Sequence, residues 1–383
     1  MNYVRLFYNT LIKATKRKKL DLHEPFFDKL ESQLVDESIQ KKSISSKGKF
    51  LSKFILQLKR LTKSKYVVLT SSGTAALHLA MLSVGVSRNT EVLMPSLNYI
   101  ASANAALYCN AIPHFVDVNK NTLGVDPIKL ENYLNEISTE KKNYCINKKS
   151  GNVIKALVCF HPFGYPASID ELKKICNKFN IKLIEDAAES IGSYLNNKHL
   201  GTFGDIGILS FNGNKTITTG SGGAILTNNK NLKKHCEILG SIAKKKHLFK
   251  FDYFYKGYNY KMANINAALG VAQISKINKI VTKKKRIFLN YIKYFKKLDF
   301  VKIYNPPKVS SCNYWLVTSI LNKPNNTLKN KILNYCNKKG VFVRPSFKLL
   351  HTISYLKKYP RMNLNNSINL DKRIISLPSS PFL

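Results

Sequence analysis

The sequence predicts an α/β protein, with a large, mostly parallel α/β/α sheet domain followed by a smaller C-terminal α/β domain. Two observations carry this. Short apolar runs alternate with helical patterns through the first two-thirds of the chain, and the runs are apolar on both faces, as strands covered by helices are. Beyond Ile274 the texture changes to a lysine-rich helical stretch and then a second, compact set of strands and a helix. With 383 residues and 44% hydrophobic content, the chain can build two well-buried cores. The boundary is placed near residue 280, giving 1–280 for an N-terminal arm and the large domain and 281–383 for the smaller one.

Each element has a local reason. Tyr66-Val-Val-Leu69 reads as a strand that leads into a helix over Gly73–Leu82, which Gly85 can end. Glu91–Met94 is a strand before an alanine-rich helix near Ala101–Tyr108, and Pro113–Val118 is the next strand. Ile154–Cys159 precedes a helix opened by Ser168 and Glu171, which have capping-box spacing. Lys182–Asp186 is a short buried strand, and strands at Ile206–Phe211 and Ala224–Thr227 flank a glycine-rich turn. The lysine-rich stretch Ser275–Lys297 reads as a long connecting helix. After Asn305-Pro-Pro307 come a strand at Tyr314–Ile320, a helix over Leu328–Lys338 closed by Gly340, and a strand at Val341–Val343.

Composition excludes several classes. No apolar run approaches the roughly 20 residues that cross a bilayer. Met1–Lys19 lacks the order of a secretory signal. Seven cysteines, at 109, 145, 159, 176, 236, 312 and 336, are unclustered and show no Cys-x-x-Cys spacing. This argues for a reducing, cytoplasmic setting and against a bound metal or an iron–sulfur cluster. Net charge is +40, which raises nucleic acid or an anionic membrane as partners. The lysines are dispersed, however, in Lys16–Lys19, Lys141–Lys149, Lys244–Lys246 and Lys283–Arg286, and form no stripe interleaved with aromatics. The expectation is therefore a solvated basic surface, with neither a specific nucleic acid nor a membrane as partner. A basic protein that binds nucleic acid without catalysis is the distant alternative.

Three segments carry chemistry. Ser72, Gly73 and Thr74 sit where a strand meets a helix, and small residues there let backbone amides close on a phosphate. The ordinary alternative is a tight turn with a capped helix. Neither Gly-x4-Gly-Lys-Ser/Thr nor Gly-x-Gly-x-x-Gly is present, so a nucleotide P-loop and a dinucleotide fold lose ground. Asp186 falls at the end of its strand, where such sheets place ligands, although it could equally cap a helix begun by Ala187 and Ala188. Glu189 would assist there or complete that cap. Lys215 lies between apolar strands and Thr219-Gly-Ser-Gly-Gly223, a setting that desolvates the amine and frees it as a nucleophile. Ser210 could add a hydroxyl. A lysine to hold an aldehyde as a Schiff base and an aspartate to keep a pyridine nitrogen protonated suit pyridoxal 5′-phosphate. Tyr99 could stack on a flat ring or simply fill a core. Asn259 is a polar candidate to which spacing gives no role, and His161, His351 and Arg344 have plain readings.

Together these segments resemble the DegT/StrS-type sugar aminotransferases, which have the fold-type-I pyridoxal-phosphate-dependent transferase fold. The resemblance rests on Ser72-Gly-Thr-Ala-Ala-Leu77, Glu185-Asp-Ala-Ala-Glu189, Gly204-Asp-Ile-Gly207, Ser210-Phe211 with Lys215-Thr-Ile-Thr-Thr-Gly220, and Gly257-Tyr-Asn-Tyr260. These lie in family order, and the match runs from about residue 22 to about 380. Pro95-Ser-Leu-Asn-Tyr99, Phe211-Asn-Gly-Asn-Lys215, Asn313-Tyr-Trp315 and Leu377-Pro-Ser-Ser380 are most similar to the legionaminic-acid and bacillosamine branch.

The resemblance implies that Lys215 forms the Schiff base, Asp186 pairs with the pyridinium, Glu189 faces the ring hydroxyl and Tyr99 stacks on the ring. It implies that Ser72, Gly73, Thr74 and Ser210 hold the phosphate, joined by Asn259 from the partner subunit of a homodimer with shared sites. The implied reaction moves an amino group from L-glutamate to a nucleotide-linked 4-keto-6-deoxy sugar. That sugar would be UDP-4-keto-6-deoxy-N-acetylglucosamine, on the way to a surface glycan or nonulosonic acid, with a GDP-linked sugar as the alternative. Lys215 stands where the family's 3-dehydratases carry histidine, which puts the chain on the transaminase side. Two departures are noted: Lys261 where arginine is usual, and an end at Leu383 where the family continues with another helix, so a shortened C-terminal domain is expected.

Overall fold

The computed structural model describes residues 3–245 and 247–383; Met1, Asn2 and Lys246 of the Lys244–Lys246 cluster lie outside the described residues. Seven strands form the main path of a large sheet: β1 (Tyr66–Thr70), β2 (Thr90–Pro95), β3 (Ile112–Val116), β4 (Val153–Phe160), β5 (Lys182–Asp186), β6 (Ile206–Ser210) and β7 (Gly223–Thr227). Their spatial order is β1-β7-β6-β5-β4-β2-β3. The run from β6 to β3 is parallel, and β7 is antiparallel to both of its neighbours, β1 and β6. A hairpin of Ser138–Lys141 with Tyr144–Asn147 extends the sheet beside β4. The mostly parallel α/β/α architecture expected from the sequence is therefore present.

The helices that matter for the site are α1 (Tyr3–Thr15), α2 (Gly73–Ser83), α3 (Ala101–Tyr108), α4 (Ile169–Lys178), α5 (Asn264–Ser275), α6 (Ile277–Phe295) and α7 (Asn326–Lys338). Successive residues of the central strands point to opposite faces, and both faces are covered. Ile184, Ile208 and Ile225 pack toward Ala76, Ala80 and Ala105 of α2 and α3. Leu209, Ala224 and Leu226 pack toward Phe54, Ala268 and Val271 on the other side, where α5 lies. Burial on two faces is why these strands read as unbroken apolar runs. Helix α2 starts where Ser72 accepts a hydrogen bond from the Ala75 amide, 3.1 Å, and ends before Gly85, whose φ of +88° suits glycine. Helix α4 does start after Ser168, but the capping box is not formed. Ser168 makes no capping side-chain bond at φ −71° and ψ 58°, away from the extended backbone that a cap needs.

A second sheet, with order β8-β9-β11-β10, is antiparallel: β8 (Val301–Ile303), β9 (Thr318–Leu321), β10 (Arg344–Pro345) and β11 (Ile374–Ser376). Helix α1 packs beside it although it opens the chain: Phe7 meets Phe295 of α6 edge-on at 5.2 Å, and Tyr8 meets Tyr335 of α7 at 5.4 Å. Two sequence expectations change here. The strand expected at Tyr314–Ile320 begins only at Thr318, because Tyr314 has φ +51° and the Asn313 side chain bonds Glu189 and Ile191 carbonyls instead. The strand expected at Val341–Val343 gives way to β10, because both the amide and the carbonyl of Val343 are taken by the Asn337 side chain. Among the described residues, no helix is long and apolar enough to cross a membrane.

Close packing sets a sharp test at Gly207 in β6, where an added Cβ would fall 2.1 Å from the Gly201 carbonyl oxygen. Gly207→Ala should cost about 2–3 kcal/mol through overpacking, read as a lower urea midpoint with an unchanged slope.

Candidate active site

The carboxyl ends of β5 and β6 open into a cavity of about 970 Å³, closed on its far side by Trp315, Arg344 and Phe347 from the C-terminal region. Ser72, Gly73, Thr74, Tyr99, Asp186, Glu189, Ser210 and Lys215 all line it. One fold feature gathers them. Parallel strands finish at a common edge, so the last residues of β5 and β6 and the first turn of α2 converge there.

Asp186 ends β5 and is 3% exposed. Its Oδ2 accepts from the Ser102 hydroxyl at 3.0 Å, and its Oδ1 accepts from the Ala188 amide at 3.2 Å. No helix follows it, so the capping alternative is not realised. Burial raises its pKa, against the opposing pull of Ser102, Ala188 and Lys215. A buried acid in that state calls for a cationic partner in the cavity, which is what a protonated pyridine nitrogen supplies.

Glu189 sits across from Lys215. Its Oε2 accepts from the Phe163 amide at 2.7 Å, and its Oε1 lies 3.4 Å from Lys215 Nζ. Burial pushes its carboxyl up to about 7, opposed chiefly by the Lys215 charge. The Lys215 side chain is only 13% exposed, and its Nζ stands 4.0 Å from the centroid of the Trp315 ring. Lys215 leaves a turn in which its amide bonds the Asn212 carbonyl at 3.0 Å.

The candidate anion seat depends on glycine. A Cβ on Gly73 would lie 2.9 Å from the Ser210 Cβ, so the end of β6 and the start of α2 close together only without one. A Cβ on Gly223 would likewise meet the Ser72 carbonyl at 2.6 Å. The Ser72 hydroxyl is committed to the α2 cap, which leaves Ser210 and the first-turn backbone for an anion. Tyr99 stands half exposed at the rim, edge-on to Phe347 at 5.7 Å. Buried acid, lysine and glycine-built anion seat in one cavity fit pyridoxal phosphate.

Asn259 is the exception. Within its own chain it lines a different pocket, with Tyr260, Lys261 and Phe254. His161 and His351 are also outside the cavity: His161 bonds Glu185 at 3.1 Å and the Ala167 amide at 3.1 Å, and His351 bonds Ser96 at 2.6 Å. Arg344 does line the cavity. Sequence reasoning gave no role to Ser102, Phe347, Trp315 or His23. Desolvation, with Lys284 and Lys215 nearby, holds His23 well below the ordinary imidazole value, so it is neutral near pH 7. Nothing in local spacing could have picked it out.

A profile of the DegT/DnrJ/EryC1/StrS aminotransferase family matches residues 25–383. A GDP-perosamine synthase of Escherichia coli O157:H7 is 34% identical over 96% of this chain and 94% of its own. A GDP-perosamine synthase of Vibrio cholerae is 32% identical over 95% of each. Among solved structures, the aminotransferase TlmJ of Streptoalloteichus hindustanus is similar with a TM-score of 0.86 and 22% identity, covering 95% of this chain and 94% of that one. That likeness is of fold. The branch expectation is corrected here: the relatives that match over nearly the whole chain are named for a GDP-linked sugar, not for the legionaminic-acid or bacillosamine pathways.

The Glu189 carboxyl gives a stability test in cofactor-free protein. Its folded pKa is raised, so between the ordinary value of 4.5 and about 7 the folded state holds more protons than the unfolded one, and stability falls as pH rises. Glu189→Gln removes that loss. The variant's advantage in denaturant titrations should therefore grow from near zero at pH 4.5 to roughly 2–3 kcal/mol at pH 8.

Proposed function

This chain belongs to the DegT/DnrJ/EryC1/StrS aminotransferase family, and we propose that it transfers an amino group from L-glutamate to a GDP-linked 4-keto-6-deoxy sugar. The observation that carries the reaction is a single cavity that puts the Lys215 amine beside Glu189, with Asp186 buried in its wall. The GDP-linked substrate is supported by the two relatives above, which match 95–96% of this chain. The cavity can hold either nucleotide sugar, since about 970 Å³ is at the upper end for a small-molecule site and leaves room beyond a cofactor. Arg344 at the wall suits a diphosphate, and Phe342 and Tyr99 offer apolar faces to a base or sugar.

The enzyme is dependent on pyridoxal 5′-phosphate. When bound, that group supplies an aldehyde able to carry an amino group and a cationic ring able to absorb the electron pair left at a deprotonated carbon. Asp186 would keep the ring nitrogen protonated, and the Ser102 hydroxyl and the Ala188 amide hold its carboxylate in place. Gly73, Thr74 and Ser210 would receive the phosphate, and Ser72 fixes the helix start. Lys215 would hold the aldehyde between turnovers; once free, its Nζ would take the α-proton of glutamate and supply the proton added at the sugar carbon. Glu189 lies within reach of that amine, and Trp315 shields it from water.

The active enzyme is proposed to be a homodimer in which Asn259 reaches the partner's phosphate seat. Asn259 lies outside its own cavity, next to a segment with exposed Leu248, Phe249 and Phe251. If so, mixing inactive Lys215→Ala with weakened Asn259→Ala chains should restore activity through hybrid dimers. Additive behaviour in that mixture would exclude shared sites.

Two further outcomes are expected. Lys215→Ala should lower turnover by at least about a thousandfold, and borohydride reduction of the holoenzyme should place the cofactor on residue 215 by mass spectrometry. In a panel of nucleotide keto-sugars with glutamate, kcat/KM should be highest for the GDP-linked substrate. A preference for a UDP-linked sugar would overturn the substrate assignment and leave the aminotransferase chemistry standing.

A further inference from the structure

Trp315 is the chain's sole tryptophan, and it is 4% exposed. It reaches the cavity from the C-terminal region and touches the Lys215 segment twice. Its indole N–H donates to the Asn214 carbonyl at 2.7 Å, one residue before the lysine, and its ring face lies 4.0 Å from Lys215 Nζ. Its own backbone is fixed just as closely. The Trp315 amide donates to Asn313 Oδ1 at 2.9 Å, and the Trp315 carbonyl accepts from Lys284 Nζ at 3.1 Å.

Lys284 is itself unusual. It lies in α6, is 1% exposed, and spends its amine on the carbonyls of Trp315 and Ser379. Ser379 in turn bonds the Val317 amide through its hydroxyl and the Leu22 carbonyl through its own amide. A buried lysine that faces carbonyl oxygens is costly to desolvate, and burial holds it well below the ordinary lysine value. It ties the connecting helix to the two segments that close the cavity.

We infer that Trp315 is a positioning residue for Lys215, set in place by Lys284: the indole N–H fixes the backbone that carries the lysine, and the ring face keeps its amine turned into the cavity. The inference rests on Lys215 being the cofactor lysine, and it holds for either sugar nucleotide. Lysine has a flexible four-carbon stem, and its polar neighbour Glu189, at 3.4 Å, is a long contact. An aromatic face attracts an ammonium without competing for its N–H geometry. An amine that is released in every turnover is thereby kept within reach.

Full-length Trp315→Phe, Trp315→Leu and Lys284→Met, each checked for folding by circular dichroism, test this. The readouts are the rate at which added pyridoxal phosphate becomes borohydride-trappable on Lys215, the kcat–KM split for glutamate, and, where tryptophan remains, its emission. Trp315→Phe keeps a face and loses the N–H, and should slow trapping about threefold. Trp315→Leu loses both and should slow trapping and kcat about 30-fold, with KM for glutamate changed less than about twofold. Lys284→Met should red-shift Trp315 emission and slow trapping by about the same factor as Trp315→Phe. Wild-type trapping rates in folded Trp315→Phe and Trp315→Leu would overturn the role of Trp315. Unchanged emission and rate in Lys284→Met would overturn that of Lys284. Cofactor trapped on a different lysine would overturn the Lys215 assignment and this inference together, whereas trapping on Lys215 at an unchanged rate overturns this inference alone.

Discussion

A carboxylate buried at the end of a strand has to be held by something, and Asp186 is the group around which this protein is arranged. Water is excluded from it, so its charge is supported by the Ser102 hydroxyl, the Ala188 amide and the field of Lys215. Each support comes from a different element. Ser102 is on α3, Ala188 follows β5, and Lys215 leaves the turn after β6. Moving any of these relative to the sheet would leave an uncompensated buried acid, which is far more costly than a lost surface ion pair. The parallel sheet solves this by ending its strands together, and the glycines at 73 and 223 let the start of α2 close over the same edge.

Two buried acids share that cavity yet behave differently. Asp186 is held by a hydroxyl and an amide, and Glu189 by one amide and a long contact to Lys215. Burial raises both carboxyls, and that of Glu189 reaches about 7. A carboxyl near 7 beside an amine can follow that amine's charge. The two acids therefore differ in what holds them: a hydroxyl and an amide for one, an amide and a lysine for the other.

Most of the fold was legible because two-sided burial writes itself into the chain as apolar runs, and the seven strands of the main sheet path fall where those runs do. The close approach of α2 to β6 and β7 was legible for a related reason, since it demands glycine and small residues next to each other. Legibility failed wherever a distant side chain claimed backbone groups. Asn337 takes both polar groups of Val343, and Asn313 turns the chain at Tyr314 to bond Glu189 and Ile191. Ser168 has the capping sequence without the capping backbone. Trp315 and His23 come to the cavity from opposite ends of the chain, so no local pattern joins them to Lys215.

The same long-range contacts explain why no local motif points to a substrate. Asp186, Ser210 and Lys215 sit at or just beyond the sheet edge, whose geometry a motif can encode. The far wall is assembled from Arg344, Phe342 and Phe347, which follow α7, together with the arm at Leu22 and His23. That wall is tied down by Ser379, whose hydroxyl holds Val317 and whose amide holds Leu22, so its shape depends on packing between the two ends of the chain. One wall is set by strand ends and the other by the packing of the C-terminal sheet, so a change in the second can leave the first in place.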